Sequence, residues 1–80
     1  MSPTSIGFAL RESGEVSFDI LDMAGRVAAR IPARRWAAGN WNLAWNGRSP
    51  GGAPLSPGIY FVRMKVDGQQ VGVGRIALIR

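Results

Sequence analysis

The C-terminal stretch from Gly58 to Arg80 restricts the possible folds most strongly, because it holds two alternating apolar runs around an Asp-Gly pair. It reads Gly-Ile-Tyr-Phe-Val-Arg-Met-Lys-Val, then Asp-Gly-Gln-Gln, then Val-Gly-Val-Gly-Arg-Ile-Ala-Leu-Ile-Arg. An Asp-Gly pair between two such runs is a strong local signal for a β-hairpin. In the first run Tyr60, Val62, Met64 and Val66 fall on one face, and a helix hardly produces this period of two. The sequence therefore predicts a terminal antiparallel hairpin.

The composition limits the chemistry that such a chain can perform. Its 80 residues make one small domain, predicted over 1–80, and they include neither cysteine nor histidine. Disulfide bonds, thiolate metal sites and the commonest general base are therefore excluded. Three Trp, three Phe and one Tyr are expected to anchor the core. We predict a non-enzymatic domain with no catalytic residues, no metal and no cofactor.

Two chemical alternatives depend on the acidic residues. A catalytic pair would need Ser with Lys65, or the carboxylates of Glu15 and Asp19, but carboxylates on a surface strand are usually just solvated. A calcium site would draw on the five acids, whose spacing does not match a calcium-binding loop. These acids are Glu12, Glu15, Asp19, Asp22 and Asp67. Asp22 is instead expected to accept backbone N–H bonds in a turn ahead of Gly25.

Charge and hydropathy narrow the range of partners. Ten basic residues stand against five acidic ones, for a net charge of +5. The basic residues are scattered and do not interleave with aromatics, so nucleic acid is not an expected partner. No apolar run approaches the roughly 20 residues of a membrane helix, and no signal peptide is recognisable. Since a strand pattern begins almost at once, Met1 is expected to be the start of an excised domain.

The N-terminal half predicts three further strands. Segments 4–10 and 15–22 alternate cleanly, with Val16, Phe18 and Ile20 facing inward and Asp19 outward. A third strand over 26–31 is predicted to end near Pro32, followed by an irregular run through Trp36. A helix over 27–38 is the alternative, since Ala and Arg favour helices, but Pro32 argues against it.

The middle of the chain predicts one strand and a long loop. Trp41, Leu43 and Trp45 alternate with polar or small residues and close on an Asn-Gly turn. Segment 49–58 is rich in Pro and Gly and reads as a loop, with a possible short edge strand over 53–55. Together these elements indicate an all-β fold, an antiparallel immunoglobulin-like β-sandwich of about seven short strands. A small barrel is the second architecture considered.

The order of these motifs carries a family resemblance over essentially the whole chain. It runs Thr-x-Ile-x-Phe-x-Leu, Gly-x-Val-x-Phe-x-Ile-x-Asp-x-x-Gly-Arg-Val, Gly-x-x-x-Leu-x-Trp-Asn-Gly-Arg, Gly-x-Tyr-Phe and a basic, aliphatic C-terminus. (One residue separates Gly14 from Val16 in the second motif.) The chain resembles the immunoglobulin-like domain of flagellar hook-capping proteins. It is also similar to the related type A C-terminal sorting domains of the type IX secretion system.

The resemblance implies a sandwich without catalytic residues at the C-terminal end of a large secreted protein. In the sorting branch it implies that the secretion machinery reads the terminal strands. The implied recognition residues are Gly58, Tyr60, Arg75, Ile76, Ala77, Leu78, Ile79 and Arg80. Two positions depart from the usual pattern, because Ser2-Pro3 stands in place of Asn-Pro and arginine replaces the common terminal lysine.

Each candidate surface has a structural alternative. Arg34, Arg35, Trp36 and Arg48 form a possible partner surface, but Trp36 in this position more often caps a core. Trp45 is expected in the core, with Asn-Gly making a turn. Binding of a carbohydrate by Trp36, Trp41 and Arg48 is a further hypothesis. The terminal strand is either an edge that a receptor extends or an ordinary last strand kept soluble by arginine.

The leading hypothesis is an exported bacterial module, at the cell surface or outside the cell, whose terminal hairpin acts as a sorting or anchoring signal. Its partners would then be the secretion machinery or neighbouring protein domains. The alternative is a structural spacer or a hook-capping-like assembly domain. Exchange of a terminal strand between two copies is also conceivable, because the first strand starts so close to Met1.

Overall fold

The fold consists of two antiparallel sheets packed face to face. The structure, a computed structural model, describes residues 4–49 and 51–78. Its strands are β1 (Thr4–Leu10), β2 (Gly14–Leu21), β3 (Val27–Trp36), β4 (Gly39–Trp45), β5 (Gly58–Val66) and β6 (Gln69–Leu78). β1 and β4 form one sheet, and the other has the order β3-β2-β5-β6. The predicted all-β, antiparallel immunoglobulin-like sandwich is confirmed, although the described residues form six strands instead of about seven.

The core lies between the two sheets and contains the inward side chains of both. Every second residue of β2 is buried, as the alternation predicts. Phe8 of β1 reaches across the sandwich, with its ring centroid 5.3 Å from that of Phe18 and 5.1 Å from that of Trp36. The buried apolar set is Ile6, Leu10, Val16, Phe18, Ile20, Ala29, Trp36, Trp45, Tyr60, Val62 and Leu78. The predicted core position of Trp45 is confirmed.

The third strand extends further than the sequence predicts. β3 continues through Pro32, so both the predicted strand end and the helical alternative for this segment are wrong. β3 lies at the edge of its sheet and pairs only with β2. Its register shifts between the pairs Val16–Arg34 and Phe18–Ile31, which places Pro32 at a bulge. A missing N–H is tolerated at an edge or a bulge.

The Asp-Gly hairpin is confirmed and is tighter than predicted. Asp67 and Gly68 have φ angles of 51° and 82°, which is the pattern of a type I′ turn. Val66 pairs directly with Gln69, so β6 begins two residues before the predicted start of the second run. The Asp67 side chain also accepts a 3.0 Å hydrogen bond from the Glu15 backbone N–H, which fixes the turn against β2.

The loop between β4 and β5 holds a single bridge where a short edge strand was considered. Pro54 pairs with Arg48 as an isolated bridge, and the Ser49 N–H donates to the Ala53 carbonyl at 2.9 Å. Proline supplies no N–H for a ladder, which is one reason the pairing stops there. Within the described ranges the chain has no helix of the length and apolarity that a membrane span requires.

Candidate interaction surface

A cluster of cations surrounds one carboxylate on the outer face of the four-stranded sheet. Asp19 on β2 points away from the core, as predicted, yet it is only 7% exposed. Arg63 on β5 donates to its Oδ2 from Nη2 at 2.7 Å and from Nε at 3.1 Å. Lys65 Nζ lies 3.3 Å from the same oxygen, and Arg30 Nε lies 3.5 Å from Oδ1. The stems of these long side chains cover the carboxylate.

The cluster explains why Asp19 stays ionised. The Arg63 hydrogen bond lowers the pKa of Asp19 below its usual value and outweighs the desolvation that would raise it, while Lys65 adds a further lowering. Three cations surround this carboxylate, and both hydrogen bonds from Arg63 end on Oδ2. The hypothetical catalytic pair of Glu15 and Asp19 therefore has no support from this geometry.

Asp22 closes the turn between β2 and β3. Its Oδ1 accepts the backbone N–H groups of Ala24 and Arg26, each at 2.9 Å, and its Oδ2 accepts Arg26 Nε at 3.2 Å. The backbone hydrogen bond from Arg26 is the main reason that the pKa of Asp22 is lowered. The predicted turn role of Asp22 is confirmed. In the described part of the chain no three acidic, histidine or cysteine residues gather into a group that could hold a metal ion.

The predicted partner surface is divided between two ends of the molecule. Trp36 lies in the core, and the Arg34 guanidinium carbon stacks 3.9 Å from its ring centroid. Arg35 donates to the Ser13 hydroxyl at 3.4 Å. Arg48 lies beyond the far end of β4, where its Nη1 donates to the Gly52 carbonyl at 2.9 Å. Of the predicted partner surface, only Arg34 and Arg35 therefore lie exposed together on β3, without the Trp36 ring and without Arg48.

The same positions bear on the carbohydrate hypothesis. Trp41 packs against Trp36 with centroids 5.2 Å apart, and its indole N–H donates to the Ala37 carbonyl at 2.8 Å. Both indoles thus belong to an aromatic cluster at one end of the core, away from Arg48. Because sugar binding needs exposed ring faces beside hydrogen-bonding groups, these three residues do not form a common sugar platform.

The residues of the terminal hairpin have different surroundings. Gly58 has a φ of 152°, which a residue with a Cβ rarely adopts. The Tyr60 hydroxyl donates to the Ser56 carbonyl at 2.7 Å, four residues upstream, which resembles the tyrosine corner of immunoglobulin-like sandwiches. Both residues therefore have a structural role. Ile79 and Arg80 lie outside the described residues, so the predicted basic end of the strand is not described.

The remaining residues of the predicted recognition strand lie on β6. Arg75 and Ala77 are exposed, Ile76 is half-buried and Leu78 is buried. Sequence reasoning did not single out Gly72 and Gly74, although glycine at alternate strand positions is a signal for a close approach or an unfilled space. In the structure these glycines border an open groove between β6 and β1.

The fold defines the class of protein to which the chain belongs. The two-layer antiparallel sandwich is that of the immunoglobulin-like domains, and Asp19 and Asp22 are engaged in an ion-pair cluster and a turn. The chain belongs to the FlgD Ig-like domain family, whose model matches residues 2–70. This match supports the hook-capping part of the resemblance and gives no support to the sorting-domain part.

A solved structure agrees with the family match. The chain is similar to FlgD from P. aeruginosa, with 26% sequence identity and a TM-score of 0.78 over 92% of this chain. The chain spans only 60% of that FlgD chain, so the activity and partners of a whole FlgD protein are not transferred by the match alone. No curated protein matches the chain significantly.

Proposed function

We propose that this chain is a non-enzymatic assembly module of the flagellar hook-capping type, which acts by binding other flagellar proteins. The observation that carries the proposal is family membership over residues 2–70. The likeness to FlgD over 92% of the chain supports it. Proposed partners are therefore flagellar proteins, and an exported location, at the cell surface or outside the cell, follows from the same proposal.

The arrangement of charged residues supports a structural role over a catalytic one. Asp19 is held by Arg30, Arg63 and Lys65, and Asp22 is held by its own turn. A general acid or base must instead be within reach of a substrate and free to exchange a proton. The family is a structural one. The contacts of the buried Asp19 and of Asp22 in its turn indicate that both carboxylates stabilise the fold.

The sorting hypothesis remains a prediction without support from the comparisons. It requires the extreme terminal residues to be read by a secretion machinery, and Ile79 and Arg80 lie outside the described residues. The geometry of Gly58 and Tyr60 is explained by the loop that they close, without a receptor. The assembly proposal is therefore preferred.

Deletion of the segment from its natural gene distinguishes the two functions. In the organism that encodes the chain, hooks and filaments are counted by electron microscopy after residues 4–80 are removed, and export is measured by immunoblotting for a truncated protein that lacks only residues 79–80. We expect hook formation to fail while the truncated protein is still exported. Normal hooks together with lost export would overturn the assembly proposal and favour sorting. A Glu12→Gln variant, altered at an exposed turn position, is the control.

A further inference from the structure

The outer strand β6 is an uncovered edge. Among the described strands it pairs only with β5, and its residues from Gln69 to Arg75 are exposed on both faces. Val71 and Val73 are 60% and 55% exposed. An exposed apolar edge strand presents unpaired N–H and C=O groups that can pair with another strand. Within its described length β6 has only one charged side chain, Arg75, that could discourage unwanted pairing with another strand.

A groove lies beside this edge, between β6 and β1. Gly72 and Gly74 pair with Met64 and Val62, whose side chains point inward, so the two glycines face the same side. Apart from the glycine itself and its two chain neighbours, no residue places an atom within 4 Å of where a Cβ would stand on either glycine. The groove has a volume of about 370 Å³. Its apolar lining includes Ile6, Phe8, Phe18, Val62, Met64 and Ile76.

The shape of the groove fits an extended strand. A strand added beside β6 would place every second side chain on the inner face, opposite Gly72 and Gly74, where the groove is empty of side-chain atoms. Large apolar side chains at these two positions would contact the apolar lining. The intervening side chains would lie on the outer face beside Val71, Val73 and Arg75. Backbone pairing would supply affinity and the alternate side chains would supply specificity.

The charge of the residues around the groove determines which kind of strand can pair with β6. Among the described residues lining the groove, Arg75 alone is charged. Arg63 lies on the neighbouring strand, paired with Val73. Opposite charges across adjacent strands stabilise a sheet and like charges destabilise it. A second copy pairing through β6 would bring a second Arg75 to the same edge, and each copy carries a net charge of +5, so like charges disfavour self-association through β6.

We propose that β6 binds an extended, acidic segment of a partner protein by strand addition. This segment places large apolar side chains opposite Gly72 and Gly74 and acidic side chains beside Arg75. The inference rests on the proposed function, that the chain acts by binding other proteins, and it names the surface and the chemistry of the partner. It concerns the described edge of β6 and does not depend on the terminal residues of the sorting hypothesis.

The test uses the whole chain and short synthetic peptides of about ten residues, the length of β6. In one peptide Ile alternates with Glu, in the second Ile alternates with Lys, and in the third Ser alternates with Glu. Amide resonances of the isotope-labelled chain are followed by NMR during titration to millimolar peptide. We expect the Ile–Glu peptide to shift amides of β6 and β1, and the other two peptides to bind more weakly.

Two variants make the result specific. Arg75→Glu should lower the affinity for the Ile–Glu peptide about fivefold and raise the affinity for the Ile–Lys peptide by a similar factor, because a cross-strand charge pair is reversed. Gly74→Phe should lower the affinity for the Ile–Glu peptide about tenfold, because the new Phe side chain on β6 would occupy the groove. Arg48→Glu carries the same charge change at the distant loop and should leave binding unchanged. A dispersed spectrum verifies that each variant is folded.

Three outcomes would overturn the proposal. The first is that the β6 amides do not respond to the Ile–Glu peptide. The second is that Arg75→Glu leaves the preference for the Ile–Glu over the Ile–Lys peptide unchanged. The third is that sedimentation detects self-association through β6. Each outcome is distinguishable from failure of the assembly function, because hook formation is measured in cells with the natural partner. Loss of hooks on deletion combined with no peptide binding would mean that another surface of the domain serves assembly.

Discussion

Asp19 forms ion pairs with three cations on the outer face of the four-stranded sheet. It neutralises part of the charge of three neighbouring cations, Arg30, Arg63 and Lys65, that would otherwise repel one another across adjacent strands. Such a buried carboxylate is tolerated only when it is paired and hydrogen-bonded. The Arg63 fork supplies two charge-assisted hydrogen bonds, so it is the partner whose loss matters most.

The pH dependence of stability follows from the lowered pKa of Asp19. An unfolded Asp titrates near pH about 3.9, and the folded pKa lies lower. The cluster therefore stabilises the fold fully above that unfolded value, and its contribution is lost as the pH falls through the folded pKa. Urea unfolding should show a free energy that declines below pH about 4, where carboxylates protonate.

Asp19→Asn should remove most of this acid sensitivity. At neutral pH the variant is expected to lose about 1–2 kcal/mol of unfolding free energy, since the hydrogen bonds become neutral while Arg30 is already screened by water. Asp22, whose pKa is also lowered, keeps its own acid dependence in this variant. Glu12→Gln removes one negative charge at an exposed position and is the control. An unchanged acid dependence in Asp19→Asn would show that the cluster does not stabilise the fold.

At the scale of elements, Trp36 joins the two sheets. It ends β3 and packs its ring edge-on against Phe8 of β1, with an interplanar angle of 89°. Edge-to-face aromatic pairs add to the stabilisation from burial. The sequence pattern predicts that Trp36 lies outside any strand, because Pro32 precedes it. A proline ends a central strand, but it is tolerated in β3, because β3 is an edge strand with a bulge.

Trp36→Ala should therefore be strongly destabilising. Removal of a buried indole costs about 3–5 kcal/mol, a large share of the stability of a small domain. Arg34→Ala, which removes only the stacked cation, should cost no more than about 1 kcal/mol. Guanidinium unfolding followed by the fluorescence of Trp41 and Trp45 measures both. Equal effects of the two substitutions would mean that the Trp36 ring is not part of the core.

The β5–β6 hairpin depends on a glycine with a positive φ. Gly68 has a φ of 82°, and a side chain in this left-handed conformation costs about 1–2 kcal/mol. Gly68→Ala should lower the unfolding free energy by this amount. Gly72→Ala lies in the same hairpin with open space around it and is the matched control, expected to be close to neutral. A Gly68→Ala loss no larger than that of Gly72→Ala would contradict the described turn.

For the whole molecule, sequence patterns predicted the architecture better than the surface. Period-two alternation is imposed by burial between two layers, so the inward faces of β2 and β5 followed directly from it. The partner surface did not follow, because the sequence does not show that Trp36 turns into the core or that Arg48 lies at the other end. The β6 groove depends on how far apart two sheet edges lie, a tertiary distance that no local pattern contains.

The central claim is a two-layer sandwich with β2 and β5 inside the larger sheet and β6 as its open edge. Amide hydrogen exchange of the isolated chain, measured residue by residue by NMR, tests it most directly. Amides of β2 and β5 should exchange slowest, because both strands are paired on two sides. Alternate amides of β6 should exchange rapidly, since one side of that strand is unpaired. Protection of every β6 amide to the level of β5 would contradict the open edge.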